Sequence, residues 1–334
     1  MMSMLLASTT TVWPAHQRTA PLMHHRAAPL MRAASDDSPL PIMPRDEVHF
    51  ACPTCGADLL PVGSLTSLRC SNGHVVDRAK QGHYHLLPPV RADAAAQAQA
   101  DEYARASRAF FDADGFEAQV DGVAAEVARA LSLCPPEVAS RGARVLNAGC
   151  GEGVWLRGVD AALEGHAELW GVDMGKTAVR YAAKRQPSAR FAVASPHHLP
   201  FADGSFDCVV SVFAPAPWEE FCRVLRPGGA VIVARAGAEH LRELRRRAHG
   251  EDTAPRSPKE FSAGLAEKYL RLRTLETLRG EQARHLLAMT PFVRQAPPEA
   301  RQRLEGAEEL TTTVDMIVST HRVWLGAAGG RFEL

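Results

Sequence analysis

Between residues 141 and 236, apolar runs alternate with amphipathic stretches, an order that leaves few folds open. The runs "RVLNAG", "AELWGVD", "ARFAVAS", "FDCVVSVF" and "GAVIVARA" read as strands, and helices are expected from Glu152, from Lys176 and at "WEEFCRVL". Repeated strand–helix order implies a mostly parallel sheet covered by helices. The tail adds "YLRLRTLETL", a short helix ending "HLLAMTPF", and "TTTVDMIVSTHRVWL", whose β-branched content points to two late strands.

In "VLNAGCGEGVW" the glycines Gly149, Gly151 and Gly153, with Glu152 between the last two, follow a strand and open a helix. Such a turn lets the backbone approach a ligand at a helix N-terminus. A dinucleotide fingerprint requires its third glycine at 154, where Val154 stands; what remains is the GxGxG spacing associated with S-adenosylmethionine. The next strand ends at Asp173, twenty residues after Gly153, where a carboxylate can accept both hydroxyls of a ribose. The loop "ASPHHLPF", beginning with Ala194 and Ser195, is then expected beside the adenine, although its histidines fit an ordinary surface equally well.

A second pattern lies upstream. "CPTCGADLLPVGSLTSLRCSNGH" places Cys52, Cys55, Cys70 and His74 at Cys-x₂-Cys and Cys-x₃-His spacing, fourteen residues apart. Two such turns fit a tetrahedral Zn²⁺, and four protein ligands leave no open position for catalysis. A structural zinc is expected, supplying the stability that so short a module cannot draw from its own core.

The first 35 residues hold no Asp or Glu but include Arg18, Arg26, Arg32 and many small or hydroxylated residues, the composition of an organelle transit peptide. The Ser/Thr/Ala bias leans towards a chloroplast rather than a mitochondrion. With 38 basic and 38 acidic residues, net charge argues neither for nor against RNA, so any nucleic-acid surface must be local. Seven cysteines in 334 residues, three of them at metal spacing, suit a reducing compartment. No run of eighteen apolar residues occurs, so no membrane-spanning helix is expected. The expected organisation is a transit peptide and linker at 1–45, a zinc module at 46–90, a helical region at 91–140 and a sheet domain at 141–334.

"VLRPGGAVIVA" resembles the helix, turn and fifth strand of class I methyltransferases, a likeness spanning about residues 141 to 325. Asn147 departs from it, since an acid commonly stands there; an amide can still hold the turn by hydrogen bonds. Taken with the Cys₃His set, the segments "AKQGHYHLLP", "SRAFFDADGF", "GCGEG", "ASPHHLPF", "FAPAP" and "LLAMTPF" resemble the bacterial-type large-subunit ribosomal RNA guanine-N1 methyltransferases over about residues 50 to 325. The resemblance implies a seven-stranded Rossmann-like α/β methyltransferase fold preceded by a zinc-ribbon-like module. It also implies S-adenosylmethionine as methyl donor, docking of a ribosomal RNA hairpin through the zinc module, and a homodimer. By the same resemblance Phe116 and His240 line the cofactor pocket; without it they read as a core phenylalanine and a capping or exposed histidine.

Arg69, Arg78 and Lys80 around the zinc are the expected RNA contacts. The basic run Arg242, Arg245, Arg246 and Arg247 fits phosphate contact and a solvated helix end equally. In "FAPAPWEE", Phe213 or Trp218 could stack on guanine and Glu219 or Glu220 could take its N1 proton; as helix-start and packing residues they need no such role. Two rival functions stay open at this point: methylation of a small plastid metabolite, for which a zinc module is superfluous, and noncatalytic RNA binding, against which the intact glycine turn and Asp173 speak.

Overall fold

The computed structural model describes residues 47–62, 66–88, 93–250 and 266–323, so the expected transit segment lies outside the described residues. The described residues belong to one compact unit. The chain opens with β1 (Phe50–Ala51), β2 (Asp58–Val62), β3 (Ser67–Arg69) and β4 (Val75–Asp77), an antiparallel ribbon in that order. A two-residue strand β5 (Tyr84–His85) follows, then helices α1 (Ala94–Asp112), α2 (Glu117–Ser132) and α3 (Pro136–Arg141).

The alternating part runs β6 (Ala143–Ala148), α4 (Val154–Ala162), β7 (Ala167–Asp173), α5 (Lys176–Arg185), β8 (Arg190–Val193), β9 (Phe206–Val212), α6 (Trp218–Val224) and β10 (Leu225–Ala236). It continues through α7 (Arg242–His249), β11 (Lys268–Arg279), α8 (Gly280–Ala288), α9 (Pro291–Arg294), α10 (Pro298–Glu305) and β12 (Glu309–Arg322). The sheet order is β11-β12-β10-β9-β6-β7-β8-β5. Seven of these strands are the expected ones. All pair parallel except β12, which runs antiparallel to both β10 and β11.

Strand β9, "FDCVVSV", is buried at every residue, as a central parallel strand covered on both faces must be. Pro227, Gly228 and Gly229 form the irregular entry to β10, where the pairing with β9 shifts register between Leu225 and Ala230. A Cβ on Gly229 would lie 3.0 Å from the Asp207 carbonyl, so only glycine passes there.

Strand β5 is the eighth, and it comes from within 46–90, the range expected for the zinc module. It pairs parallel with β8, Tyr84 opposite Ala192 and His85 opposite Val193. The two faces of the sheet are therefore covered differently. One carries α1, α2, α4, α5, α7 and α8 over a large core. On the other, Trp170 and Phe201 are met by the ribbon's Phe50, Leu59 and Leu68 in a single cluster that also contains Phe221 of α6. Phe50 is 3% exposed and packs edge-on against Trp170 at 4.9 Å and tilted against Phe201 at 5.4 Å. Over this end of the sheet the ribbon stands where a covering helix is usual.

Candidate active site and metal centre

Two knuckles hold the metal ligands. Cys52 follows β1 and Cys55 lies in the turn after it, closed by Gly56 N–H donating to the Cys52 carbonyl at 2.8 Å. Cys70 follows β3 and His74 precedes β4, closed by Gly73 N–H donating to the Cys70 carbonyl at 2.9 Å. Gly56 and Gly73 have φ of 74° and 83°, the left-handed region such tight turns demand. The four ligand atoms lie within 4.8 Å of one another, with Cys70 Sγ 3.7 Å from Cys55 Sγ and 3.4 Å from His74 Nδ1. Three thiols and an imidazole converging on one point fit Zn²⁺ and leave it closed to substrate. Hydrogen bonding from Asn72, with help from the Ala57 backbone, lowers the Cys55 thiol to about 6, towards the thiolate a metal needs.

The second site follows from topology. Chain order reverses between β6 and β9, and in open α/β sheets the crevice beyond the carboxyl ends of strands at such a point is where ligands bind. A cavity of about 350 Å³ lies there. Its floor is Gly149, Cys150, Gly151 and Glu152, one wall is Asp173 at the end of β7 with Met174 after it, and the opposite wall is Phe213, Ala214 and Pro215 beyond β9. A Cβ on Gly149 would fall 2.4 Å from the Ala214 Cβ, and one on Gly153 would fall 3.0 Å from Ala182. A Cβ on Gly151 would meet nothing within 4 Å, so that backbone is open to a ligand.

Asp173 is pinned by backbone donors: Gly151 N–H gives to Oδ2 at 3.0 Å and Gly175 N–H to Oδ1 at 2.7 Å. Each carboxylate oxygen keeps a lone pair for a ribose hydroxyl. Burial raises its proton affinity and the two amides oppose that. Glu152 is 5% exposed and accepts from Ser107 Oγ at 3.0 Å through Oε2, while its buried Oε1 has no partner. An orphaned carboxylate oxygen lining a cavity fits a cationic ligand group, and with the open Gly151 face and the pinned Asp173 it suits S-adenosylmethionine.

Five rings form a closed collar. Phe111 to Trp155 is 5.8 Å, Trp155 to Phe213 6.2 Å, Phe213 to His240 5.2 Å, His240 to Phe116 6.1 Å and Phe116 back to Phe111 6.2 Å. Phe116 and Phe213 hold φ of 55° and 51°, a strained conformation for bulky residues that the packing must enforce. Burial first, then the Arg245 charge, pushes His240 down to about 4. Its Nδ1 accepts from Asp315 N–H at 3.3 Å, which leaves the proton on Nε2 of a neutral ring.

The remaining expectations divide. Phe213, 44% exposed, lines the cavity, whereas Trp218 stacks edge-on against His321 at 5.3 Å and packs with the ribbon-side cluster, away from the lining. Glu220 accepts from Leu199 N–H at 2.7 Å and from Arg223 at 2.8 Å; burial raises it, but these bonds bring it below the usual carboxylate range. Glu219 is exposed and does not line the cavity. Neither is placed to take a proton from a base stacked on Phe213. Ser195 accepts from His197 N–H at 3.2 Å, and of the two histidines it is His197 that lines the cavity. Asn147 Nδ2 donates to the Val210 carbonyl at 3.0 Å, so the amide ties β6 to β9 and does not hold the turn.

Arg69, Arg78 and Lys80 are all exposed, and Arg78 donates to the Gly82 carbonyl. Arg242 and Arg245 are committed within the protein, the first to Glu239 and the second to the Ala238 and His240 carbonyls. Residue-by-residue reading missed Tyr103, Trp155 and Met289, which reach the cavity from α1, α4 and the end of α8. For Met289 the segment "LLAMTPF" carried a signal without a role.

Comparison with known proteins finds two family matches along the chain. The family described as "Methyltransferase domain" matches residues 145–229, and the one described as "RlmA, N-terminal" matches residues 50–92. The 23S rRNA (guanine(748)-N(1))-methyltransferase of Streptomyces fradiae is 34% identical over 283 residues, covering 81% of this chain and 96% of the relative. A putative 23S rRNA (guanine-N(1)-)-methyltransferase of Bacillus subtilis is 28% identical over 80% of this chain and 94% of the relative. The malonyl-[acyl-carrier protein] O-methyltransferase of Enterobacter lignolyticus, 30% identical, covers 46% of this chain and 61% of its own length.

Proposed function

The chain belongs to the 23S rRNA (guanine-N1)-methyltransferase family, and on that premise we propose that it transfers a methyl group from S-adenosylmethionine to N1 of a guanine in 23S-type ribosomal RNA. One observation carries this reading: the likeness to the Streptomyces protein spans 81% of this chain and 96% of that protein, whereas the likeness to the malonyl-[acyl-carrier protein] O-methyltransferase spans 46% of this chain. A noncatalytic role is disfavoured by an open cavity with a partnerless buried carboxylate oxygen.

When bound, the cofactor supplies a methyl group already activated on a positive sulfur. The protein's part is alignment and exclusion of water. Asp173 takes the ribose, and the free Oε1 of Glu152 faces the cationic methionine end. The aromatic collar favours a positive sulfur through its ring faces. His240, neutral at physiological pH, adds no like charge to oppose it. Guanine N1 is buried when paired, so the base must be extruded or lie in a loop, and the exposed Phe213 ring is its proposed stacking partner. Neither Glu219 nor Glu220 serves as the base. With Glu152 and Asp173 given to the cofactor, Tyr103 and His197 are the cavity-lining side chains that can relay the N1 proton.

The proposed setting is the plastid ribosome, supported by the acid-free first 35 residues, and the proposed assembly is a homodimer, supported by the family resemblance. Mapping N1-methylguanine in plastid and mitochondrial large-subunit RNA, with and without the gene, tests substrate and location together. Loss of one such modification in plastid RNA is expected. Intact modification in both organelles overturns the substrate.

A further inference from the structure

The motif "GHYH" has no role in the site described above, yet the fold brings it beside the cofactor crevice. In sheet register Asp173 lies opposite Val193, and Val193 lies opposite His85. Two strand spacings put His85 about 10 Å from Asp173 across the same end of the sheet. Register turns His85 to the face of Val193, which shares its core with Val179 and Ala182 of α5.

Helix α5 begins three residues after Asp173, and Lys176 and Arg180, one turn apart, share a side of its first turns. Asp173 holds the Gly175 amide; beyond it no side chain caps this helix and no acid stands in its first turn, which leaves the first-turn amides for an anion. Lys176 is exposed, without an ion pair among the described residues. Beneath lies His83, 3% exposed, with a buried Nδ1 that has no hydrogen-bond partner. Burial first, then the Lys176 charge, lowers both histidines, so each is neutral and has one N–H to donate. Two carboxylates stand at the margin: Asp173, held by the Gly151 and Gly175 amides, and Asp101, which is engaged by the Thr177 hydroxyl and sits among the charges of Arg105 and Arg180.

We propose that Lys176, Arg180, His85 and the N-terminus of α5 form a docking site for a backbone phosphate of the RNA strand, next to the nucleotide being methylated. First-turn amides, two cations and the exposed donor ring of His85, with the buried and unpartnered His83 two residues before it, are what a phosphodiester demands, and a cofactor without phosphate makes no use of them. The site rests on the RNA reading above and deepens it: β5 joins the zinc ribbon to the sheet and carries part of the grip that sets the distance from a docked strand to the methyl donor.

The test uses the full zinc-loaded chain and a 23S hairpin, comparing wild type with K176A/R180A and H85A, and measuring kcat, KM for RNA and cofactor affinity over a salt series. The double variant should raise KM for RNA about tenfold, with kcat and cofactor affinity within about twofold. The log–log salt slope should flatten by about 1.4, at about 0.7 for each cation removed from a single-strand phosphate. A single methylphosphonate linkage should raise KM in wild type and have no further effect in the double variant. Unchanged KM and slope on an RNA that wild type methylates overturns the site and leaves the function standing. A wild-type protein that methylates no RNA overturns both. Weakened cofactor binding in K176A/R180A assigns these residues to the cofactor and also overturns the site.

Discussion

The ribbon and the sheet are stabilised by different physics. The sheet's central strands are buried on both faces and need nothing beyond their own packing. The ribbon has strands of two to five residues, and its few buried side chains are largely pressed outward onto Trp170 and its neighbours. It is held at one end by a metal and at the other by the core of the sheet. A segment too small for a core can thus still act as a covering layer, provided that a metal fixes its loops.

The strongest way to break this comparison is Cys70→Ser. Structural zinc contributes on the order of 10 kcal/mol in small modules. The substitution should therefore release the metal and unfold the ribbon while the sheet's cooperative unfolding persists at lower stability. Zinc stoichiometry with tryptophan fluorescence checks it, and a variant that kept zinc and full stability would show that the ribbon stands on packing.

Phe50→Ala attacks the other attachment. Truncating so buried an aromatic ring should cost about 3–5 kcal/mol in denaturant titration. Zinc should stay bound, because the knuckles close through their own backbone bonds. Simultaneous loss of metal would mean the two ends of the ribbon are not separable.

Acid sharpens the contrast from the sheet side. Glu126, 3% exposed, accepts from Arg129, Lys268 and Thr320, tying α2 to β11 and β12. Burial alone would raise it, and these donors bring it down to about 2. Its folded pKa lies below the unfolded value near 4.3, so its contribution is full above that pH and is lost as pH falls towards 2. This group alone should cost the sheet about 3 kcal/mol across that window, and Glu126→Gln should remove that share of the pH dependence, leaving the share of Glu243, without moving the zinc-release curve. An identical acid profile for the variant would contradict this.

The smallest effect concerns the crevice. Asp173→Ala should weaken S-adenosylmethionine by about 1.5–3 kcal/mol, the worth of a charge-assisted hydrogen bond. Calorimetry reads it, and zinc content should not change. Full cofactor affinity would place the ribose elsewhere.

Legibility followed range. Cys52, Cys55, Cys70 and His74 announce themselves because knuckle spacing places ligands together whatever surrounds them. Gly149, Gly151, Gly153 and Asp173 do so because a strand, a tight turn and a helix are local, and the next strand of a right-handed crossover has little choice of neighbour. The candidate bases were not legible: Glu220 sits on the expected helix, but whether it faces a substrate depends on Arg223 and Leu199 capturing it. Trp218 went to His321 on a strand a hundred residues later.

The sequence by itself determined the metal ligands, the glycine turn with its acidic partner, and the alternation that makes a parallel sheet, because each depends on contacts within a few residues or one crossover. Only the tertiary structure decided that β5 extends the sheet, that five rings from four separate segments close a collar, and that the ribbon covers Trp170. Those outcomes depend on which distant surfaces meet, and an apolar residue such as Phe50 carries in its own neighbourhood no mark of the partner that will bury it.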